Sequence, residues 1–567
     1  MGQSRILNLF FFVLAFCFWL FWHPEWLNFH EQYQMFLFSF DYLKEHLALP
    51  GGFVVWLSEF FVQFFYNTFS GAAVVALVLT GIYLLNKTVD NQLFALLPSV
   101  LIWIYAGDEN MLFTFPTAVL SALALSVCYK KINFEHKFYL QFLLFPLIYW
   151  LIGYCVWIYV LLTSLDALKN CFDKSKKMVL LSFKCLILCF FMFLVAYTVA
   201  KNYPLIDIFC GIDYYRDRMI IPFWQHLIAL SCVVVPYLKF KQNKVFYYAQ
   251  IAVLVGGLFW GVIKKYDKLR YDYIKIDYFA RWQKWDSLLK FAKNNNLNND
   301  FTTSGINLAL AMTNQLPDRL FEFRQTGNEG FLSTFGYNMF SCGPTAEACY
   351  YLGLNNSVLR YNFDMQSAIL NCKNSGRFFK RIAESYILNR RYDVAQRYLN
   401  KLKKTLFYRS WALDAEKCLY NENKVKENPE WARILKCRVP NGLNFSHSDM
   451  SLMLVYLFEQ CPENRMAIDY ALSAMLVNKD LRQFVKYFPL YTKSFGTSNI
   501  PEIYQQAFLL ACFQNGFSFD QMPDFISEKV KNTYKDFDRT YLLNAKSKAF
   551  TTGKFANTFW THYLIER

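Results

Sequence analysis

Charge is what this sequence has least of: 18% of its 567 residues are Asp, Glu, Lys or Arg, against 55% hydrophobic and 20% aromatic. That balance excludes a string of ordinary soluble domains, which the length alone would allow. The familiar chemistry-bearing motifs are missing too. No Gly-x-Gly-x-x-Gly, Walker loop, His-Glu-x-x-His or nucleophile elbow occurs, which removes the usual nucleotide-binding, zinc-protease and hydrolase readings. The 15 cysteines, eight of them between Cys17 and Cys232, contain no Cys-x-x-Cys pair, so no zinc site is expected. Among the seven from Cys342 to Cys512, only Cys342 and Cys349 stand close enough in sequence to invite a disulfide.

What the chain has in quantity is apolar runs with charges at their ends. They recur at about 6–22, 71–86, 92–106, 111–129, 138–163, 178–200, 223–240 and 246–263, each near the roughly 20 residues that cross hydrocarbon. The first follows Arg5 but is bulky and aromatic, and His23-Pro24-Glu25-Trp26 offers no small-residue cleavage site, so it is expected to stay as an anchor. The net charge of +16 is read as topological rather than as a nucleic-acid footprint, because many Lys residues sit in short loops beside these runs.

Those loops set the expected sidedness. Arg5, Lys87, Lys130/Lys131, Lys169/Lys174/Lys176/Lys177 and Lys239/Lys241/Lys244 are expected in the cytoplasm, and Gly107-Asp108-Glu109-Asn110 outside. This works only if 138–163 is a hairpin broken near Gly153, giving about nine passes and an extracytoplasmic C-terminal half. Lys264, Lys265, Lys268 and Arg270 argue against that placement without reversing it, since long domains cross largely regardless of flanking charge. Between the first two runs, the outer loop 23–70 reads as helices lying in the headgroup plane, broken at Pro50-Gly51-Gly52.

After about Asp277 apolar residues fall at helical spacing and strand-like alternation is scarce. Ala383-x-x-Tyr386 followed by Tyr392-x-x-Ala395-x-x-Tyr398-x-x-x-Leu402 predicts two antiparallel helices joined at Asn389-Arg390-Arg391. The pair resembles a tetratricopeptide unit without the roughly 34-residue period. The expected fold class is therefore all-α: a polytopic transmembrane helical domain over 1–265 and an extracytoplasmic, TPR-like helical domain over 278–567.

For chemistry, His30-Glu31-Gln32-x-Gln34 stands just beyond the first span. Glu31 is the candidate catalytic base or ligand, and the alternative is a carboxylate that merely caps an interfacial helix. Asp108 and Glu109 form an acidic pair at the outer surface and Arg216 and Arg218 could grip a phosphate; a solvated turn and pairing with Asp213 and Asp217 are the bland alternatives. His23, His30, Glu31 and His46 match no metal spacing, so neither metal nor cofactor is expected. Ionisable residues inside the spans are few, Lys184 the plainest, and no ion relay is visible.

Several segments together resemble a family of uncharacterised multi-pass inner-membrane proteins of Bacteroidetes. They are His30-Glu-Gln-Tyr-Gln-Met-Phe36, Leu49-Pro-Gly-Gly-Phe53, Gln63-Phe-Phe-Tyr66, Asn307-Leu-Ala-Leu-Ala311, Leu316-Pro-Asp-Arg-Leu-Phe321, Tyr350-Tyr-Leu-Gly-Leu-Asn355, Thr405-Leu-Phe-Tyr-Arg-Ser-Trp411 and Thr558-Phe-Trp-Thr-His-Tyr563. This resemblance implies a bacterial inner-membrane location and no activity. The architecture is also similar to that of GT-C glycosyltransferases, which use lipid-phosphate-linked sugars. In that likeness Glu31 takes the acidic position of the first outer loop, while the second acid many members carry there is missing. Two readings stay open: a GT-C-like transferase at the periplasmic face, or a non-enzymatic scaffold whose helical repeats bind a periplasmic protein.

Overall fold

In a computed structural model the chain is described over residues 2–88, 91–132, 137–169, 175–216, 222–238, 243–297, 299–334, 339–370, 373–438, 446, 448–543 and 548–565. Every regular element among the described residues is helical; the isolated antiparallel bridge there pairs Met111 with Tyr215. Two compact units result. The first is Met1–Tyr271 with two later segments, Ile369–Arg377 and Lys401–Ser410; the second is Asp272–Ala368, Phe378–Asn400 and Trp411–Arg567.

Among the described residues of the first unit, five helical stretches are long and apolar enough to cross a membrane: Arg5–Trp22, Thr68–Asn86, Phe138–Lys169, Val179–Val199 and Lys244–Lys265. Gly52–Tyr66, Phe94–Tyr105 and Phe223–Tyr237 are apolar but shorter. Local chemistry sets several starts. Asn67 caps Thr68–Asn86 by accepting from the Phe69 amide, and Asn243 caps Lys244–Lys265 by accepting from that of Val245.

Phe138–Lys169 is one stretch by composition but two by geometry. Lys137–Ile152 ends at Gly153, whose φ of +76° is cheap for glycine alone, and Val156–Lys169 follows. Twelve residues of straight helix would separate Phe145 from Trp157 by about 18 Å. Their ring centroids are 6.2 Å apart, so the chain doubles back.

Polar contacts gather at the two ends of this helix set. At one, Lys87 donates to Asn8, Asn91 donates to the Val235 carbonyl, and Asp166 takes both Lys130 and the Tyr237 hydroxyl. At the other, Tyr214 donates to the Ile152 carbonyl beside Gly153, Tyr215 and Lys265 converge on Asp108, and Arg270 pairs with Glu109. Apolar helices leave their polar groups nowhere else to go.

The second unit packs helix pairs around Arg465–Val477, of which every residue from Ala467 to Val477 is buried. Gly376–Leu388 and Tyr392–Leu402 turn at Arg390, φ +57°, and the ring of Tyr398 stacks on Tyr386 and meets Phe379 edge-on, the register of an antiparallel pair. The disulfide invited by Cys342 and Cys349 is absent. Both are buried on one helix, Met339–Leu352, where a spacing of seven residues puts them about 10 Å apart along the axis, beyond disulfide reach of each other. The bond instead joins Cys437 and Cys461.

Two measurements test this packing. A Cβ at residue 153 would force a left-handed non-glycine and approach the Tyr214 hydroxyl at 3.1 Å. Gly153→Ala is expected to cost about 1–2 kcal/mol in thermal unfolding of the detergent-solubilised protein. Asp469, buried in the central helix, has its carboxyl raised to about 6 by burial, against the pull of Arg465 and the Tyr504 hydroxyl. The folded state therefore holds this proton more tightly than the unfolded one, and stability from this group falls as pH rises from about 4 to 6. Unfolding followed against pH is expected to show wild type losing about 3 kcal/mol relative to Asp469→Asn across that window.

Candidate functional site

The first apolar helix closes in a π-helical turn, Phe18–Trp22, and Pro24 opens a new helix, Pro24–Glu31, at its first position. All seven residues from Glu25 to Glu31 are buried. A ladder of rings fixes the helix: Trp19 to Trp26 at 4.5 Å and Trp26 to His30 at 4.0 Å between centroids.

His30 is the group left over by this packing. It is 1% exposed, and no group among the described residues hydrogen-bonds either ring nitrogen. Burial first, and then the charge of Arg216, holds its pKa well below the usual histidine value, so the ring is neutral at physiological pH. The next residue, Glu31, is also buried and accepts the Tyr408 hydroxyl at 2.9 Å. Gln32 accepts from Arg377 at 2.8 Å, and Gln34 donates to Thr114 at 3.1 Å.

Three stretches that the sequence singled out separately meet here. The Arg216 guanidinium lies over the rings of Tyr33 (4.4 Å) and Phe29 (5.5 Å), both of which also meet the His30 ring edge-on. It donates twice to the Asn110 side chain, at 2.6 and 3.1 Å. Asn110 follows Asp108, which accepts from Tyr215 at 2.7 Å and from Lys265 at 3.0 Å, and Glu109, which pairs with Arg270. Asp108 and Glu109 are thus engaged by Lys265, the final residue of the last apolar helix, and by Arg270 just beyond it, rather than left as a solvated turn. Arg218 lies outside the described residues.

A second polar knot escaped the sequence reading. Pro50-Gly51-Gly52 breaks the chain as expected: Gly51 has φ +76°, and a Cβ on Gly52 would strike the His46 carbonyl at 1.7 Å. This close turn sets Phe40–Leu47 against Gly52–Val62 and aims Tyr42 and His46 at Glu59. The carboxylate accepts the Tyr42 hydroxyl, lies 2.8 Å from His46 Nε2, and takes Lys373 Nζ at 2.7 Å from 314 residues later in the sequence. Burial alone would raise the Glu59 carboxyl, but Lys373 and His46 bring it below its ordinary value. Burial alone would lower Lys373, and Glu59 and Asp213 raise it. A lone carboxylate within the apolar run 52–62 was the available signal. Nothing local in the sequence announced its partner.

Among the described residues no three His, Cys, Asp or Glu side chains are placed to hold a metal ion. The chemistry on hand is proton transfer at a neutral imidazole beside a carboxylate, with a guanidinium at the same helix.

Removing one member of the Glu59–Lys373 pair strands the other in a buried setting. Glu59→Gln and Lys373→Met are each expected to cost about 3–5 kcal/mol, and the double variant less than their sum. Because the Glu59 pKa is lowered, its contribution is present above pH 4.5 and lost as pH falls through the folded value. The gap between wild type and Glu59→Gln in a thermal-unfolding cycle is expected to narrow below that pH.

No curated protein and no solved structure matches the chain. Residues 2–566 match DUF6057, a family of unknown function, and the chain belongs to that family.

Proposed function

We propose that this is a multi-pass inner-membrane protein acting as a GT-C-like transferase on a lipid-phosphate-linked sugar at the periplasmic face. The observation that carries the reading is the buried, neutral His30 beside Glu31, held under Arg216 in the segment that follows the first span. Buried polar groups without partners are costly in a purely structural element and concentrate where a polar ligand docks. In the transfer, an acceptor hydroxyl oxygen bonds to the sugar's anomeric carbon, its proton passes to Glu31 or His30, and the bond from that carbon to the carrier phosphate breaks. The phosphate leaves with its charge beside Arg216.

The two-ended contact pattern supports the expected sidedness. Nine end-to-end passes, counting the two arms that meet at Gly153, bring the chain out at Lys265. Its pairing with Asp108, and that of Arg270 with Glu109, neutralises two of the basic residues after the last pass and so supports this placement. The Cys437–Cys461 bond suits an oxidising compartment.

The second reading is a membrane-anchored scaffold with TPR-like repeats that hold a periplasmic protein. It is favoured by Tyr408 and Arg377, which tie up Glu31 and Gln32 as a structural joint would. Purified protein assayed for sugar transfer from a polyprenyl-phosphate donor separates the two. Glu31→Gln is expected to lower turnover by about 100-fold or more at unchanged accumulation, while Tyr408→Phe changes it little. Equal activity of Glu31→Gln and wild type, or parallel loss of accumulation in both variants, decides for the scaffold.

A further inference from the structure

The second unit contains a pocket of about 360 Å³ that the transferase reading does not use. That volume lies within the range of small-molecule sites. Its apolar wall is Met312, Met466 and the ring of Tyr351; its polar wall is Glu430, Arg433, Arg465 and Asp469.

The polar wall is unevenly satisfied. Asp469 already accepts from Arg465 at 3.2 Å and from the Tyr504 hydroxyl at 3.1 Å, so that pair closes on itself. Glu430 and Arg433 are different. They lie three residues apart on Pro429–Lys436, hence on one face of that helix, yet no ion pair joins them. Among the described residues nothing hydrogen-bonds the Arg433 guanidinium, and Glu430 accepts only the Tyr350 hydroxyl, at 2.7 Å on one oxygen. A donor fork and a carboxylate oxygen are thus presented side by side to the same pocket.

The helix that carries both of these groups is fixed to the one that carries Met466 and the Arg465–Asp469 pair. Cys437 follows Lys436 directly, Cys461 precedes Arg465 by four residues, and the disulfide between them ties Pro429–Lys436 to Arg465–Val477. A site pinned in this way is preorganised for a ligand that spans both charges.

We propose that this pocket binds a zwitterion of amino-acid size, its carboxylate on Arg433, its ammonium on Glu430 and an apolar side chain against Met312, Met466 and Tyr351. A free α-amino acid and a dipeptide with both ends unblocked share this chemistry. A simple anion or cation would meet one matched and one like charge and bind poorly.

Titration calorimetry on the full detergent-solubilised chain tests the idea with L-phenylalanine, L-methionine and the dipeptide Phe-Phe, against N-acetylphenylalanine and phenylalaninamide. Saturable binding of a free amino acid or of the dipeptide, weakened at least tenfold when either end is blocked, is the expected result. Arg433→Gln and Glu430→Gln, which keep the helix and the Tyr350 hydrogen bond possible, are each expected to weaken it at least tenfold at unchanged thermal stability. Preference between the single amino acids and Phe-Phe identifies the source. No saturable binding by any of the three up to about 10 mM, equal binding of a blocked analogue, or indifference to both substitutions overturns the proposal.

Discussion

An ion cannot be left bare in an apolar interior, and the first unit is organised by that constraint. Helices poor in charge pass their ionic groups to the two ends, and at each end those groups are paired: Lys130 with Asp166 at one, Lys265 and Arg270 with Asp108 and Glu109 at the other. The same constraint governs the most buried acid. Glu59 is fully enclosed and persists as a carboxylate because a phenol, an imidazole and an ammonium surround it.

How much of this could be read in advance depended on the range of the interaction. Five of the apolar runs, the break at Gly153 and the turn at Pro50-Gly51-Gly52 are local properties of spacing and glycine chemistry, and each appears where the sequence put it; the runs 92–106 and 223–240 form helices shorter than a full crossing, and 111–129 is not among the spanning candidates. So does the helix pair joined at Asn389-Arg390-Arg391. The disulfide was misplaced for the complementary reason: nearness along a helix is not nearness in space, and Cys437 meets Cys461 only through tertiary packing.

The site divides the same way. Glu31, Arg216, Asp108 and Glu109 stand out as charges beside apolar runs, so their residue types were legible. That Arg216 would bridge the other two stretches through Phe29, Tyr33 and Asn110 was not. His30 was visible as a member of the His30-Glu31-Gln32-x-Gln34 segment but with no role of its own; its isolation is a property of the ring ladder around it. Lys373 and Tyr408 sit in an otherwise polar, helical half, and no pattern in the sequence assigns them to the apolar unit.

That assignment bears on how the chain is made. Ile369–Arg377 and Lys401–Ser410 belong to the first unit, so its amino-terminal portion leaves the ribosome with Glu59 unneutralised and Glu31 without its phenol. At roughly 5–20 residues per second, the ammonium that answers Glu59 is synthesised some 15–60 s afterwards. During that interval the nascent polypeptide must keep a vacant cradle open, and the earliest-born part of the protein is among the last to reach its final form.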